Sequence, residues 1–186
     1  MHIPNSERLT YRLMDASDKQ ALYDIDQNEE VMKFINGGKK NSMQQIEEVF
    51  VPRMEKYRNP EKGWGLWHIS LTETGEYLGW VLVRPMHFFL DKPLFNDLEL
   101  GWRFFQHHWG KGYASEAALA IIDVVSASPE VEYVSAIADE DNGASIGVMK
   151  KLGMTFHKQY LHKDYLGDWD VVWYRRKVRE QHKPKG

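Results

Sequence analysis

The stretch His107-His108-Trp109-Gly110-Lys111-Gly112-Tyr113-Ala114-Ser115-Glu116-Ala117 decides how this chain is read. Leu98 to Phe105, just before it, reads as a strand, and Gly112 to Val125 is a long apolar segment of helical length. Glycines at a strand-to-helix passage let the backbone approach a ligand and take conformations that a side chain forbids. The first N–H groups of the helix have no partner within it, and the helix dipole adds positive potential there. Together they form a site suited to a pyrophosphate. Lys111 either adds a point charge or is simply solvated. Two familiar phosphate patterns fail. The P-loop pattern of two glycines separated by four residues, then Lys and Ser or Thr, is absent. The dinucleotide pattern lacks its third glycine, and the turn follows several strands instead of the first.

On the N-terminal side, Gly65 to Leu71 and Tyr77 to Pro85 read as strands joined by the turn Thr72 to Glu76. Leu9 to Leu13 alternates apolar and polar residues and reads as an opening strand. Ser17 or Asp18 can cap a helix reaching about Asp26, and Glu29 to Ile35 is a second short helix closed by Gly37-Gly38. Ser42 to Tyr57 is amphipathic, with Ile46, Val49, Phe50, Met54 and Tyr57 on one face, and Pro52 is expected to kink or split it. On the C-terminal side follow a strand (Tyr133 to Ala138), a helix (Ala144 to Leu152), two strands (Phe156 to His162, Val171 to Lys177) and a polar tail. A strand-helix-strand unit in this order implies a parallel pair inside a mixed sheet.

A length of 186 residues, without repeats or a low-complexity linker, fits one domain over 1–186, with a core over 9–177 and a polar tail over 178–186. The 42% hydrophobic and 13% aromatic content supplies a real core and argues against disorder. No apolar run approaches the ~20 residues of a membrane span, and Met1 to Thr10 lacks the features of a signal peptide. The absence of cysteine excludes disulfides, thiolate metal sites and a cysteine nucleophile. A cytoplasmic location is the simplest inference. The net charge of −3 argues against nucleic-acid binding and suits a cationic amine substrate. No histidine pair has the helix-face spacing with a carboxylate that would suggest zinc, so no metal is expected.

Glu99-Leu100-Gly101-Trp102, followed by the run Trp109 to Ala117, resembles the coenzyme A motif of GNAT acetyltransferases. The Trp-Gly-Lys-Gly-Tyr-Ala-x-Glu-Ala order is similar to the RimJ/RimL-type, ribosomal-protein N-acetyltransferase-like branch. Asn142-Gly143-Ala144-Ser145 and Lys151-Leu152-Gly153-Met154 resemble that branch's Asn-x-x-Ser and Lys-Leu-Gly-Phe elements. His107 stands where the superfamily usually has Gln or Arg, and Met149 where many members carry a tyrosine. The resemblance implies an α/β (α+β) single-domain GNAT fold. Its mixed, mostly antiparallel sheet of about six or seven strands has a splayed parallel pair that binds acetyl-CoA.

By the same resemblance the coenzyme contacts are Trp102, Phe104, Phe105, Trp109, Gly110, Lys111, Gly112, Tyr113, Ala114, Ser115, Asn142 and Ser145. A backbone N–H near Trp102 or Arg103 would polarise the thioester, and the pantetheine arm would bond backbone groups near Phe104 and Phe105. Glu99 is the first candidate for general base and Asp97 the second, since alternation points both to one face. A structural ion pair is the competing role for Glu99. Ser145 is the candidate for protonating the departing thiolate. Asn142 and Ser145 also suit a plain helix cap. Of His107 and His108, at least one is expected on the surface. Trp64, Trp67, Trp80, Trp102, Phe88 and Phe89 either floor an acceptor pocket or fill the core. The implied reaction is direct transfer from acetyl-CoA to a primary amine, of a protein N-terminus or a small molecule, by a monomer or homodimer. A non-catalytic acetyl-CoA sensor and a nucleotide-binding protein are the alternatives.

Overall fold

Alternation along the central strands puts apolar side chains on both faces: Trp67, Ile69, Val81 and Val83 on one, Leu66 and Leu82 on the other. A sheet buried on both sides needs a helical layer on each. The computed structural model, which describes residues 1–164 and 167–178, has that form. Its strands are β1 (Leu9–Leu13), β2 (Gly65–Leu71), β3 (Tyr77–Met86), β4 (Leu94–Phe104), β5 (Tyr133–Ala138), β6 (Thr155–Asp164) and β7 (Gly167–Lys177). They form one sheet in the order β1-β2-β3-β4-β5-β7-β6, antiparallel throughout except for the parallel pair β4 and β5. Past Val178, the expected polar tail lies outside the described residues.

One face is covered by α1 (Lys19–Ile25), α2 (Glu29–Asn36), α3 (Met43–Gln45) and α4 (Val51–Tyr57). Asn28 caps α2 by accepting from the N–H groups of Glu30 and Val31, and Gly37 ends it at a positive φ of 76°. Between α3 and α4, Ile46–Phe50 winds as a π-helix, with the Val51 N–H reaching back to the Ile46 carbonyl. That wider turn meets Pro52, the second residue of α4, so the missing proline donor is absorbed without a break in the helical path.

The other face carries α5 (Tyr113–Val125) and α6 (Gly143–Lys151). Ala117, Ala118, Ile121, Ile122 and Val125 are buried, and the two alanines let α5 lie close on the sheet. Met149 is fully buried in the same core. Strands β6 and β7 run further toward their shared turn than the sequence pattern suggests. The added residues, 163–164 and 167–170, are mostly polar and exposed, so they carry no alternation to read.

β4 and β5 pair over only three positions, Asp97↔Tyr133, Leu98↔Val134 and Glu99↔Ser135. At the closed end of this fork Asp97 is 0% exposed, with Arg175 Nε of β7 at 3.0 Å from its Oδ2. The same guanidinium lies 3.4 Å from the centre of the Tyr133 ring. Burial pushes the Asp97 carboxyl above its ordinary range, against the opposing pull of Ser135 and Arg175. Removing one partner strands the other, so Arg175→Leu should destabilise the protein by about 3–5 kcal/mol in urea unfolding. Adding Asp97→Asn should recover more than half of that loss. A single-variant loss below about 1 kcal/mol, the size of a surface pair, would mean that the ion pair does not hold the fork.

Candidate active site

Beyond Glu99 the two parallel strands part, and the backbone of β4 is left facing a gap. The Phe105 N–H donates to the Leu78 carbonyl on the β3 side. Alternation therefore turns the Arg103 backbone toward β3 and the Trp102 and Phe104 backbones toward the gap. Gly101 lies on β4 between Glu99 and Arg103, and its missing side chain leaves room on the face it shares with them. Next comes the glycine turn. Gly110 and Gly112 have φ of +74° and +79°, a region that favours glycine, and Gly112 immediately precedes α5 as its N-cap. The first helical bond within α5 is Glu116 N–H to Gly112 carbonyl, so the N–H groups of Tyr113, Ala114 and Ser115 are directed at the turn. A cavity of about 700 Å³ runs from this turn through the gap.

The turn is held from outside. Glu116 accepts from Ser6 Oγ (2.7 Å), the Arg8 N–H (2.8 Å) and Arg8 Nε (2.7 Å). Arg8 in turn donates to the Lys111 carbonyl at 3.0 Å and lies over the Tyr113 ring. Burial alone would raise the Glu116 carboxyl, but these hydrogen bonds outweigh it and hold it below the ordinary range. The Ser115 hydroxyl donates to the Gly112 carbonyl at 3.1 Å. The Trp109 indole donates to the Phe104 carbonyl at 2.9 Å. Asn142 caps α6 by accepting from the Ser145 N–H at 3.1 Å.

The expected contacts thus separate. Trp102, Phe104, Trp109, Gly110, Gly112, Tyr113, Ala114, Ser115, Asn142 and Ser145 line the cavity, whereas Phe105 and Lys111 do not. Near Phe104 and Phe105 the backbone is already committed, the Phe104 carbonyl to Trp109 and the Phe105 N–H to Leu78. Of the aromatic candidates, Trp80 and Trp102 line the cavity. Trp64 and Trp67 are core, and Phe88 and Phe89 pack edge-on against Tyr57. His107 is exposed. His108 is buried, with Nε2 at 3.0 Å from Glu76 Oε1, and burial lowers its basicity. Glu76, His107 and His108 bring three ligating atoms within 4.8 Å of one another, a grouping made by the β2–β3 turn that spacing along the chain does not reveal.

At the other end of the cavity charged groups come in pairs. Glu99 is buried and receives Arg84 on both oxygens, Nε at 2.9 Å and a terminal nitrogen at 3.2 Å. Arg53 meets Asp164, and Arg103 meets the buried Asp26. Tyr57, His162 and Trp169 complete this chamber. Asp97, by contrast, does not line the cavity: it is two residues deeper in the paired part of the fork. Alternation gave the shared face of Asp97 and Glu99, but only the register shows where the strands part. Arg84, Arg53, Asp164 and His162 carry no motif signal, because each is brought in by cross-strand pairing or a long-range contact.

Residues 8–155 match the family model for the acetyltransferase (GNAT) domain. The uncharacterised protein YkkB of Bacillus subtilis (strain 168) is 32% identical over 157 residues, spanning 82% of this chain and 85% of its own. Among solved structures, an aminoglycoside acetyltransferase in complex with coenzyme A superposes with a TM-score of 0.74 at 16% identity, covering 91% of this chain and 95% of that one. RimL, a ribosomal-protein alpha-N-acetyltransferase also in complex with coenzyme A, gives 0.72 at 18% identity, covering 95% and 97%. At such identities these two likenesses are of fold.

The Glu116 brace makes the turn sensitive to acid. A depressed carboxyl contributes stability that is complete above the ordinary carboxylate range and is lost as pH falls through its folded value. Glu116→Gln should lower Tm at neutral pH by about 3–6 °C, from loss of about 1.5 kcal/mol of charged hydrogen bonding. It should also flatten the acid-side decline of Tm. An unchanged melting curve at both pH values would remove Glu116 from the support of the turn.

Proposed function

The chain belongs to the GNAT acetyltransferase family, and on that footing we propose that it transfers the acetyl group of acetyl-CoA directly to a primary amine. The observation that carries this reading is the parallel pair that opens after three positions beside a glycine turn and a helix N-terminus. In this account the N–H groups from Gly110 to Ser115 hold the pyrophosphate, and Arg8 and Glu116 keep the turn in shape. The pantetheine arm enters the gap beside β4, where the Trp102 N–H polarises the thioester carbonyl as it gains negative charge. Asn142 fixes the first turn of α6 and so places Ser145, whose hydroxyl protonates the departing thiolate. With Met149 packed in the core, that serine is the hydroxyl α6 offers to the cavity.

The acceptor enters from the chamber of Tyr57, Arg84, Glu99, His162 and Trp169. Three carboxylates that line the cavity, Asp26, Glu99 and Asp164, each already face an arginine. A polycationic acceptor needs several uncompensated carboxylates, so this balance favours an amine carrying a single positive charge, such as a peptide N-terminus. A panel of N-terminally free peptides against spermidine and kanamycin separates the two classes.

Acetyl-CoA, ATP and NAD titrated separately into thermal unfolding test the coenzyme assignment. Acetyl-CoA at 100 times its Kd should add roughly 2.7 kcal/mol of stability, and the nucleotides should add none. Gly110→Val should abolish the effect. A Cβ at Gly110 meets nothing of the protein within 4 Å, so the loss would come from the backbone conformation and the ligand's approach. No response at millimolar acetyl-CoA would contradict the assignment.

A further inference from the structure

Proton removal from the acceptor needs a basic atom in the chamber that is not already paired with a cation. Glu99 lies there, but Arg84 engages both its oxygens. His162, on β6 opposite Trp169 of β7, lines the same chamber and is buried. Its Nδ1 is 3.4 Å from the Tyr160 hydroxyl, and its Nε2 stands 4.0 Å from Asp164 Oδ2, outside hydrogen-bond distance. The Arg53–Asp164 contact ties the end of β6, two residues past His162, to α4.

We propose that His162, through Nε2, is the base that takes the proton from the acceptor ammonium, with the Glu99–Arg84 pair as a fixed neighbour; this rests on the acetyl-transfer reading above. The step balances. The ammonium gives one proton to Nε2, and the freed amine forms the C–N bond to the acetyl carbon. The C–S bond then breaks, and the leaving thiolate takes a proton from Ser145, which recovers it from the acetylated nitrogen. The imidazolium returns its proton to solvent.

The surrounding groups fit this role. Burial pushes the imidazole below its ordinary value. Glu99 of β4 and Asp164 of β6 pull it up, and Arg84 of β3 and Arg53 of α4 push it down. The ring is therefore neutral near pH 7 and able to accept a proton, while the two carboxylates stabilise the imidazolium once it forms. Two other neighbours are aromatic, Trp169, 5.1 Å between ring centres, and Tyr160, whose hydroxyl burial keeps protonated at neutral pH; a third is His87, an imidazole whose basicity burial also lowers.

The test is kcat and kcat/KM against pH with acetyl-CoA and the best acceptor of the peptide and amine panel, for the wild type, His162→Gln, His162→Ala and Glu99→Gln. Acetyl-CoA affinity is measured on each by thermal shift. The expected result is a kcat lower by about 10²–10⁴-fold in both His162 variants with acetyl-CoA affinity retained. The acid limb of kcat/KM, lying below the ordinary histidine value, should vanish in His162→Gln and persist in Glu99→Gln. Added imidazole should restore part of the rate to His162→Ala. A His162→Gln enzyme that keeps the wild-type acid limb and turns over within about threefold of wild type overturns the proposal. Wild-type protein that binds acetyl-CoA but acetylates nothing on the panel overturns the transfer reading itself, and this assignment with it.

Discussion

β4 and β5 hold together for three positions and then part, and the rest of the molecule is arranged around that limit. A parallel pair that continued would spend its backbone groups on a ladder and leave nothing for a ligand. Here the pairing is anchored at its closed end by Asp97, Arg175 and Tyr133, linking β4, β5 and β7. Beyond the anchor, α5 and α6 start where the ladder would have continued, so their N-termini and the strand edges converge on one gap. Burial of an ion pair at this place is costly by itself. Its return lies in register, because a slip of one residue would turn Glu99 and Gly101 away from the cavity.

The two ends of the cavity use different electrostatics. At the turn the positive potential comes from backbone N–H groups and the α5 dipole, with Arg8 and Glu116 bracing from behind. A backbone site needs no long cationic side chain to be ordered, which agrees with Lys111 standing outside the cavity lining. At the chamber of Glu99 and His162, three carboxylates each face an arginine, so the chamber offers fixed dipoles and aromatic faces in place of a strong net field. His162 is the group there whose charge state is set by burial against these pairs.

The fold was readable where local chemistry dictates it. Gly110 and Gly112 occupy positive φ, and that requirement is what made the glycine turn visible in the sequence. Alternation in β2 and β3, the stop of α2 at Gly37, the cap at Asn142 and the apolar run of α5 were legible for the same reason. What escaped depends on register and distance along the chain. Glu99 meets Arg84 only because β3 and β4 pair them, and Arg53 and Asp164 are 111 residues apart. Asp97 shares a face with Glu99 by alternation, yet the ladder ends only at Glu99, so Asp97 stays inside the paired part and the gap opens past Glu99. Pro52 reads as a break until the π-turn before it is seen. The polar residues around the ends of β6 and β7 hid how far these two strands run beyond His162.

The most direct test of this account is a crystal structure of the protein with coenzyme A. The pyrophosphate is expected on the N–H groups of Gly110 to Ser115 and the pantetheine between β4 and β5, bonded to the Trp102 backbone, with its sulfur facing Ser145 and the chamber of His162. Coenzyme A seated elsewhere, with the gap between β4 and β5 empty, would contradict it.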